Sequence, residues 1–287
     1  MGLVVRVPLR DGGWRQAELV EGPAGWGECS ALPGYPCDPT MARAAAEEAA
    51  CVAWPDAVRD EVEVNALVPW APVDEAARFA EEAVADGYRC LKVKVGGEHG
   101  TAVVAAVREA AGPHVAIRVD VNGRWDVERA AAEIAELSTY GIEYVEQPVA
   151  TLEELAELRR LVRVPLAADE CVRSVEDARR LARLGAADVL VVKVQPLGGV
   201  RRAIDVAEAA GGIPVVVTSM METSVGLAAG LALAAALPEH DLACGLGTGV
   251  LLAGDVVAEP LVPEDGRLRV RRPAPDPELL DRYRVAP

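Results

Sequence analysis

Charged residues close several short apolar runs of this sequence, and they recur at nearly even intervals. They are Lys92, Lys94, Asp120, Glu146, Asp169 and Lys193. The last four lie 26, 23 and 24 residues apart along the chain. An interval of that length accommodates one strand, one helix and two short loops. The spacing therefore predicts successive βα units that present these side chains at one level, as in an active site at the mouth of a barrel.

From residue 61 onward, short β-branched runs alternate with helical periodicity, which predicts parallel strands joined by crossover helices. Eight strands are predicted, at 62–68, 91–95, 116–121, 144–147, 166–168, 189–194, 214–218 and 243–246. Seven helices are predicted between them, near 74–86, 99–111, 126–139, 151–162, 174–184, 199–210 and 223–236. The predicted fold is α/β, a modified TIM barrel of (β/α)7β type over residues 61–254. A doubly wound sheet is the alternative, but no GxGxxG fingerprint follows the first strand.

The first 60 residues follow a different pattern. Two strand-like segments at 4–7 and 16–20 precede a turn-rich stretch at 25–36 and an alanine-rich helix at 40–52. These elements predict a small α+β capping domain over residues 1–60. Proline-rich sequence after Arg272 predicts that the chain leaves the barrel, so that a tail at about 255–287 completes the capping domain.

Composition excludes several classes of function. No apolar run approaches the roughly 20 residues that span a bilayer, and the N-terminus lacks the regions of a secretory signal, so we predict a cytoplasmic protein without a membrane partner. The net charge of −16, without a basic stripe, argues against a nucleic-acid partner. Six cysteines without a CxxC pair, and three dispersed histidines (His99, His114, His240), provide no zinc signature. The sequence leaves the oligomeric state open, and a monomer is compatible with it.

The lysine pair Lys92 and Lys94 has two interpretations. Alternate residues of a strand share a face, and the apolar neighbours favour the helix layer, so both lysines are predicted to point into the barrel. Two inward lysines require counter-charges or water. Taken alone, the pair is equally consistent with salt bridges at a barrel end, and a lone aspartate after a strand is more often a helix cap than a metal ligand.

Considered together, the charged residues favour metal-assisted proton abstraction. Three carboxylates from three strands suit a hard divalent cation, so we predict Mg2+, with Mn2+ as an alternative ion. Three lysines and the cation outweigh the carboxylates, which favours a small anionic carboxylate substrate. Its α-proton would pass to a neutral lysine, whose pKa the nearby cations would lower, while the metal stabilises the enediolate. Lys94 and Lys193 are predicted to flank the substrate on opposite faces.

These residues resemble the active site of the enolase superfamily, in its muconate-lactonizing-enzyme subgroup. The subgroup has a KxK pair on the second strand, carboxylates on the third to fifth, and a lysine on the sixth. The superfamily as a whole uses a lysine or histidine base with Mg2+. The metal ligands would then be Asp120, Glu146 and Asp169. The resemblance further implies that Lys94 is the acid/base, that Lys193 stabilises the enediolate, and that Lys92 tunes Lys94 and contacts the substrate carboxylate. The mandelate-racemase subgroup would require a histidine near Lys193.

Within the subgroup, the resemblance is greatest to dehydratases of menaquinone biosynthesis, through residues 22–28, 223–227 and 243–249. It implies dehydration of a cyclohexadiene carboxylate that carries a succinyl group, with formation of an aromatic ring. An N-succinylamino acid racemase or dipeptide epimerase is the alternative, because two lysines on opposite faces also allow two-base proton exchange. A non-catalytic binding barrel is a remote alternative, which would predict the loss of at least one ligand or lysine.

Two segments are predicted to hold the substrate rather than the metal. They contribute Ser219, Met220, Met221 and Glu222 after the seventh strand, and Gly245, Gly247 and Thr248 after the eighth. The glycines would present backbone N–H groups to a carboxylate, although a tight turn explains them equally well. Asn122 and Glu170 are predicted to support the metal ligands. A specificity loop at 9–14 is shorter than is usual in the family, and the two methionines are larger than the pair expected there.

Overall fold

The computed structural model describes residues 2–97, 99–238 and 242–285. The chain begins with an antiparallel meander and a helix, which are β1 (Leu3–Pro8), β2 (Trp14–Gly22), β3 (Gly25–Cys29) and α1 (Pro39–Cys51). β2 lies in the middle and pairs with both other strands. Alternate residues of β2, including Ala17 and Leu19, are buried, so one face of the meander is apolar and packs on the rest of the protein.

The prediction of a turn-rich stretch at 25–36 is wrong for its first five residues, which form β3. Glycine is generally unfavourable in strands, which is why the sequence pattern indicates a turn. Here α1 packs so closely on β3 that a Cβ atom on Gly27 would overlap the backbone of Ala46. Gly27 is therefore explained by a close approach of helix and strand, which only the tertiary structure reveals.

The centre of the protein is a parallel sheet in which the strands follow one another in chain order. After the short strand β4 (Glu61–Glu63), the sheet contains β5 (Ala66–Val68), β6 (Cys90–Lys94), β7 (Ala116–Asp120), β8 (Tyr144–Glu146), β9 (Leu166–Ala168), β10 (Val189–Val192) and β11 (Val215–Val217). The helices are α2 (Val73–Ala85), α3 (Gly100–Ala111), α4 (Val127–Leu137), α5 (Leu152–Leu158), α6 (Val175–Leu184), α7 (Val194–Leu197), α8 (Val200–Ala209) and α9 (Ser224–Ala236). The alternation confirms the predicted α/β barrel class.

The eighth strand differs from its prediction at 243–246. Its residues make isolated bridges, from Cys244 to Val64 and from Gly245 to Thr218. The Cys244 amide donates to the Glu63 carbonyl at 2.7 Å, and the Gly245 amide donates to the Val217 carbonyl at 2.8 Å. The Asn65 amide, directly before β5, donates in turn to the Cys244 carbonyl at 2.9 Å, so this segment lies between β5 and β11 and closes the barrel. The predicted first strand at 62–68 is interrupted, since β4 instead pairs with β12 (Arg267–Arg269) of the tail.

A short helix that the sequence pattern did not predict follows β10. The predicted strand at 189–194 ends at Val192, and α7 begins directly after Lys193. Gly198, at φ 84°, then ends α7 in a left-handed conformation. Lys193 is thus held between a buried strand and a buried helical turn, which restricts where its side chain points.

α9 joins the barrel to the meander and the tail. Almost all of its residues are buried, because it contacts the sheet on one side and the meander on the other. A second apolar cluster unites Val5 and Leu19 of the meander with Val225 of α9 and Val256 of the tail. The final helix, α10 (Pro277–Tyr283), contacts this cluster, and the Val285 amide donates to the Val4 carbonyl at 2.9 Å. No helix in the described part of the chain is long and apolar enough to cross a membrane.

The buried carboxylate of Glu28 reaches the N-terminus of α9 from the meander. It accepts hydrogen bonds from the amides of Thr223 at 3.2 Å and Gly226 at 3.0 Å, and also from the Thr223 and Ser30 hydroxyls. Burial raises the pKa of Glu28 to about 7, and the nearby carboxylate of Glu222 also raises it. The two hydroxyl groups and the Arg15 cation lower this pKa, but by less. Glu28 therefore stabilises the helix terminus and titrates near neutrality.

We expect the stability of the protein to fall between about pH 5 and pH 7.5 because of Glu28. The folded state binds this proton more tightly than the unfolded state, so its contribution is present at low pH and is lost as pH rises through about 7, by at most about 3 kcal/mol. Unfolding by denaturant across this range should show a smaller pH dependence for Glu28→Gln than for the unsubstituted protein. Glu47→Gln, at an exposed residue, is the control. Identical pH profiles for all three proteins would contradict the prediction.

Candidate active site

A cavity of about 620 Å3 opens at the carboxyl end of the parallel sheet. The structure brings the six spaced charged residues together there. Five of them line the cavity, namely Lys92, Lys94, Asp120, Asp169 and Lys193, while Glu146 is 1% exposed and lies behind Lys92. The strand register explains the convergence, since Lys94 pairs with Asp120 across β6 and β7, and Asp120 pairs with Glu146 across β7 and β8.

The two lysines of β6 share one aspartate. The Lys92 Nζ atom lies 2.8 Å from Asp120 Oδ2 and 2.6 Å from Glu146 Oε1. The Lys94 Nζ atom lies 2.6 Å from Asp120 Oδ2 and 2.8 Å from Asn122 Oδ1. The side chain of Lys94 is 21% exposed, compared with 11% for Lys92, so Lys94 is the more accessible from the cavity.

Lys193 faces this pair from the other side of the barrel. Its Nζ atom donates to both oxygens of Asp169, at 2.6 and 2.5 Å. It also lies 3.3 Å from the Tyr35 hydroxyl and 4.4 Å from the centre of the Tyr35 ring. The Tyr35 hydroxyl in turn donates to Asp169 Oδ1 at 2.8 Å. A residue of the segment between β3 and α1 thus contacts a carboxylate and a lysine of the barrel.

The charges of the cluster shift one another's ionisation. Although burial opposes it, the ammonium groups of Lys92 and Lys94 hold the pKa of Asp120 well below its usual range. Burial likewise disfavours the charged form of Lys92, but Asp120 and Glu146 raise its pKa well above the usual range. Burial and the neighbouring Asp120 carboxylate raise the pKa of Glu146 to about 7. Glu146 therefore shares its ion-pair partner, Lys92, with Asp120, and it lies near the like charges of Asp120 and Asp169.

The three carboxylates do not form a ready metal-binding group. No cluster of three or more histidine, cysteine, aspartate or glutamate side chains that could hold a metal occurs among the described residues. The physical reason is that Asp120, Glu146 and Asp169 each face a lysine ammonium group instead of one another. Asp120 and Asp169 do not cap the helices that follow them, because Asp126 caps the N-terminus of α4 and Ser174 that of α6. All three remain side-chain oxygen donors on neighbouring strands, a donor set that suits Mg2+.

Six of the seven predicted substrate residues line the cavity. They are Ser219, Met220, Met221, Gly245, Gly247 and Thr248. The hydroxyl of Ser219 lies 2.8 Å from that of Thr248 and donates to the Gly245 carbonyl at 2.9 Å, so the two segments are joined. Glu222, the seventh, does not line the cavity wall. Its carboxylate turns back to accept from the Met220 amide at 2.6 Å, which closes the loop from behind.

The predicted supporting residues lie closer to the chemistry than expected. Asn122 and Glu170 both line the cavity, and the Asn122 amide donates to Glu170 Oε1 at 2.8 Å. Asn122 has φ 51°, and its carbonyl oxygen accepts from Lys94. Asn122 thus orients Lys94 directly, rather than through a metal ligand.

Several cavity residues were not found from the sequence. Tyr35 and Arg124 line the wall, and neither follows a periodic pattern that would mark it. The predicted specificity loop at 9–14 contributes nothing to the cavity wall, since its Arg10 amide donates to the Leu251 carbonyl at 3.0 Å and the loop packs there. Of the histidines, His99 precedes α3 and His114 lies in a loop, while His240 lies outside the described residues.

One signal in the sequence marks the site more sharply than spacing does. Lys92, Lys94 and Lys193 are the only lysines of the chain, and every other basic residue except the histidines is arginine. Arginine remains protonated in proteins, whereas a lysine amine can lose its proton when its surroundings favour the neutral form. Lysine is thus confined to the three positions that face the cavity or its carboxylates.

Comparisons with known proteins define the family. Residues 75–275 match the family model described as enolase C-terminal domain-like. The o-succinylbenzoate synthase of Thermobifida fusca (strain YX) is 53% identical, over 90% of this chain and 82% of that protein. The o-succinylbenzoate synthase of Mycobacterium tuberculosis (strain ATCC 25618 / H37Rv) is 47% identical, over 100% of this chain and 88% of that protein. The muconate cycloisomerase of Pseudomonas fluorescens has a TM-score of 0.90 at 23% identity, over 100% of this chain and 98% of that one, and supports the fold alone.

The chain therefore belongs to the enolase superfamily and, within it, to the family of the o-succinylbenzoate synthases. The resemblance stated from the sequence is confirmed. Members of this superfamily are catalytic and generally use Mg2+, so the prediction of an enzyme is confirmed as well. The alternative of a non-catalytic barrel has no support, because every lysine and carboxylate of the motif is present.

Proposed function

We propose that this protein converts 2-succinyl-6-hydroxy-2,4-cyclohexadiene-1-carboxylate to 2-succinylbenzoate, in menaquinone biosynthesis. The observation that carries the proposal is the placement of Lys94 and Lys193 around one cavity. Lys94 ends the second parallel strand and Lys193 follows the sixth, which are opposite positions in an eight-position barrel. Relatives at 47–53% identity are named for this reaction, which supports the choice of substrate.

The proposed cofactor is Mg2+, with Mn2+ as a substitute, held by Asp120, Glu146 and Asp169. The donor set fits Mg2+, because all three residues are carboxylates on or directly after neighbouring strands. Each carboxylate forms an ion pair with a lysine in this structure. The crowding of Glu146 against Asp120 is a second reason, since a divalent cation would relieve it. When bound, the ion supplies positive charge for the enediolate that forms as the substrate loses its α-proton.

The lysines divide the proton chemistry. Lys94, in its neutral form, takes the proton from the ring carbon that carries the carboxylate. The resulting ammonium then returns a proton to the hydroxyl group of the adjacent carbon, whose C–O bond breaks, so that water leaves and the ring becomes aromatic. Lys193 remains protonated on the opposite face and stabilises the enediolate, while Lys92 interacts with the substrate carboxylate. Asn122, at 2.8 Å from Lys94, sets the direction of the amine.

The same pair of lysines also fits a racemase. If both Lys94 and Lys193 exchange protons, an N-succinylamino acid or a dipeptide would be epimerised by a two-base route. The observation that favours this second function is again the opposite placement of the two lysines, which does not by itself select between the reactions.

Two assays with the full chain and Mg2+ separate the functions. We expect the appearance of aromatic absorbance from the cyclohexadiene substrate, at a kcat/KM in the usual enzymatic range of about 10⁴ M⁻¹s⁻¹ or above. Exchange of the Cα proton of N-succinylamino acids for deuterium, followed by NMR, should be slower or absent. Exchange without any dehydration would replace the proposed function with the racemase.

A further inference from the structure

A buried arginine of the meander contacts two loops of the cavity wall. Arg15 is 5% exposed, and its guanidinium group donates to backbone carbonyls of both loops. In the loop after β11 it reaches Met221, with an Nε–O distance of 3.0 Å, and Met220, with an Nη2–O distance of 3.2 Å. In the loop after β3 it reaches Ala31 at 3.3 Å and also donates to Ser30. One side chain thus connects segments that are about 200 residues apart in sequence.

Both of these loops form the wall of the cavity. The loop after β3 continues into residues 32–36, which line the cavity and include Tyr35, the contact of Lys193 and Asp169. The loop after β11 contributes Met220 and Met221 to the wall. Met221 has φ 58°, a left-handed conformation that is unfavourable for methionine, so this loop requires external contacts to hold its shape.

Side-chain hydrogen bonds extend the connection. The Ser30 amide donates to Gln195 Oε1 at 2.8 Å, and Gln195 Nε2 donates to the Ser30 hydroxyl at 3.1 Å. Arg15 is also a cation near the buried carboxylates of Glu28 and Glu222, and it opposes the increase in pKa that burial causes in each. The guanidinium group therefore combines hydrogen bonds to two loops with a favourable charge interaction.

We propose that Arg15 is a positioning residue that fixes both loops of the substrate cavity relative to each other. The expected effect on KM rests on the proposed function, whereas the expected effect on the order of the two loops does not. Lys94 stands on β6 and does not contact either loop, so proton transfer by Lys94 changes little when the loops loosen. Substrate binding depends on the cavity wall that the two loops form, so binding weakens when Arg15 is replaced.

Arg15→Lys and Arg15→Met in the full chain with Mg2+ test the proposal. For Arg15→Met we expect KM for dehydration to rise about tenfold while kcat stays within about threefold, and for Arg15→Lys a smaller rise, because one amine cannot reach both loops. Hydrogen exchange by mass spectrometry should accelerate in residues 30–36 and 219–223 and stay unchanged in β6. If Arg15→Met does not fold, Arg15→Lys supplies the same measurements.

Arg272→Met is the matched control. Arg272 also donates to meander and helix carbonyls, those of Trp26 at 3.1 Å and of Ala49, and its guanidinium lies 3.9 Å from the Trp54 ring centre, away from the cavity. We expect it to lower Tm without raising KM. An equal rise of KM in Arg272→Met, or unchanged exchange of both loops in the Arg15 variants, would overturn the proposal. A lack of dehydration by the unsubstituted protein would refute the proposed function instead, and loop exchange would still decide the role of Arg15.

Discussion

Replacement of Lys94 with alanine is expected to lower kcat for dehydration by about 10²- to 10⁴-fold, the range that a positioned acid/base supplies. Lys94 is the lysine whose side chain is most exposed to the cavity, and Asn122 and Asp120 hold its amine. Because one amine both accepts and returns the proton in the proposed reaction, its loss affects both steps. Product absorbance under saturating substrate measures the effect.

Lys94→Arg distinguishes proton transfer from charge. Arginine keeps the positive charge and a contact with Asp120, but it does not deprotonate, so we expect this variant to be as inactive as the alanine variant. Because the chain has only three lysines, NMR of their side-chain nitrogens should show that the signals of Lys92 and Lys193 persist. Substantial activity of Lys94→Arg would show that the residue acts through charge alone and would contradict its role as a base.

Removal of the divalent cation by EDTA is expected to lower activity by about 10³-fold or more, with recovery on addition of Mg2+ or Mn2+. Glu146→Gln should reproduce the loss through weaker Mg2+ binding, measured by calorimetric titration. In EDTA the same variant should be at least as resistant to denaturant as the unsubstituted protein, because a carboxylate crowded by burial and by Asp120 has been neutralised.

The control for the metal is Asp177→Asn, on the surface at the start of α6. This variant should retain both Mg2+ affinity and activity. Full activity of the unsubstituted protein in EDTA, or unchanged Mg2+ affinity of Glu146→Gln, would rule out the proposed metal site. The stability measurement separates a lost metal ligand from a protein that no longer folds.

The parallel strands were predictable because they are short, mostly buried apolar runs, and most of them end at or directly before a polar residue. The misassigned elements depend on contacts made elsewhere in the fold. The glycines of β3 indicate a turn until α1 is seen packing against Gly27. The eighth strand is reduced to single bridges, to Val64 directly after β4 and to Thr218 directly after β11. The strand propensities of the residues predict neither of these contacts.

The charged residues of the site were predictable for a related reason. Residues at the carboxyl ends of consecutive parallel strands meet at one edge of the sheet, so spacing along the chain translates into proximity. Glu222 lies in the loop beyond the strand end, and there its carboxylate turns back onto the Met220 amide and away from the cavity wall. Spacing specifies where a strand ends but not the direction of side chains in the loop that follows.

The sequence by itself determined the barrel, the three lysines, the three carboxylates and the family, since each depends on residue type and on separation along the chain. Only the tertiary structure decided which residues of the meander and its loop complete the cavity. Tyr35 contacts a carboxylate 134 positions away, and Arg15 contacts a loop 206 positions away. The physical reason is that these contacts form when the meander packs on α9 through a buried apolar face, and that packing leaves no periodic signal at the residues it brings to the cavity.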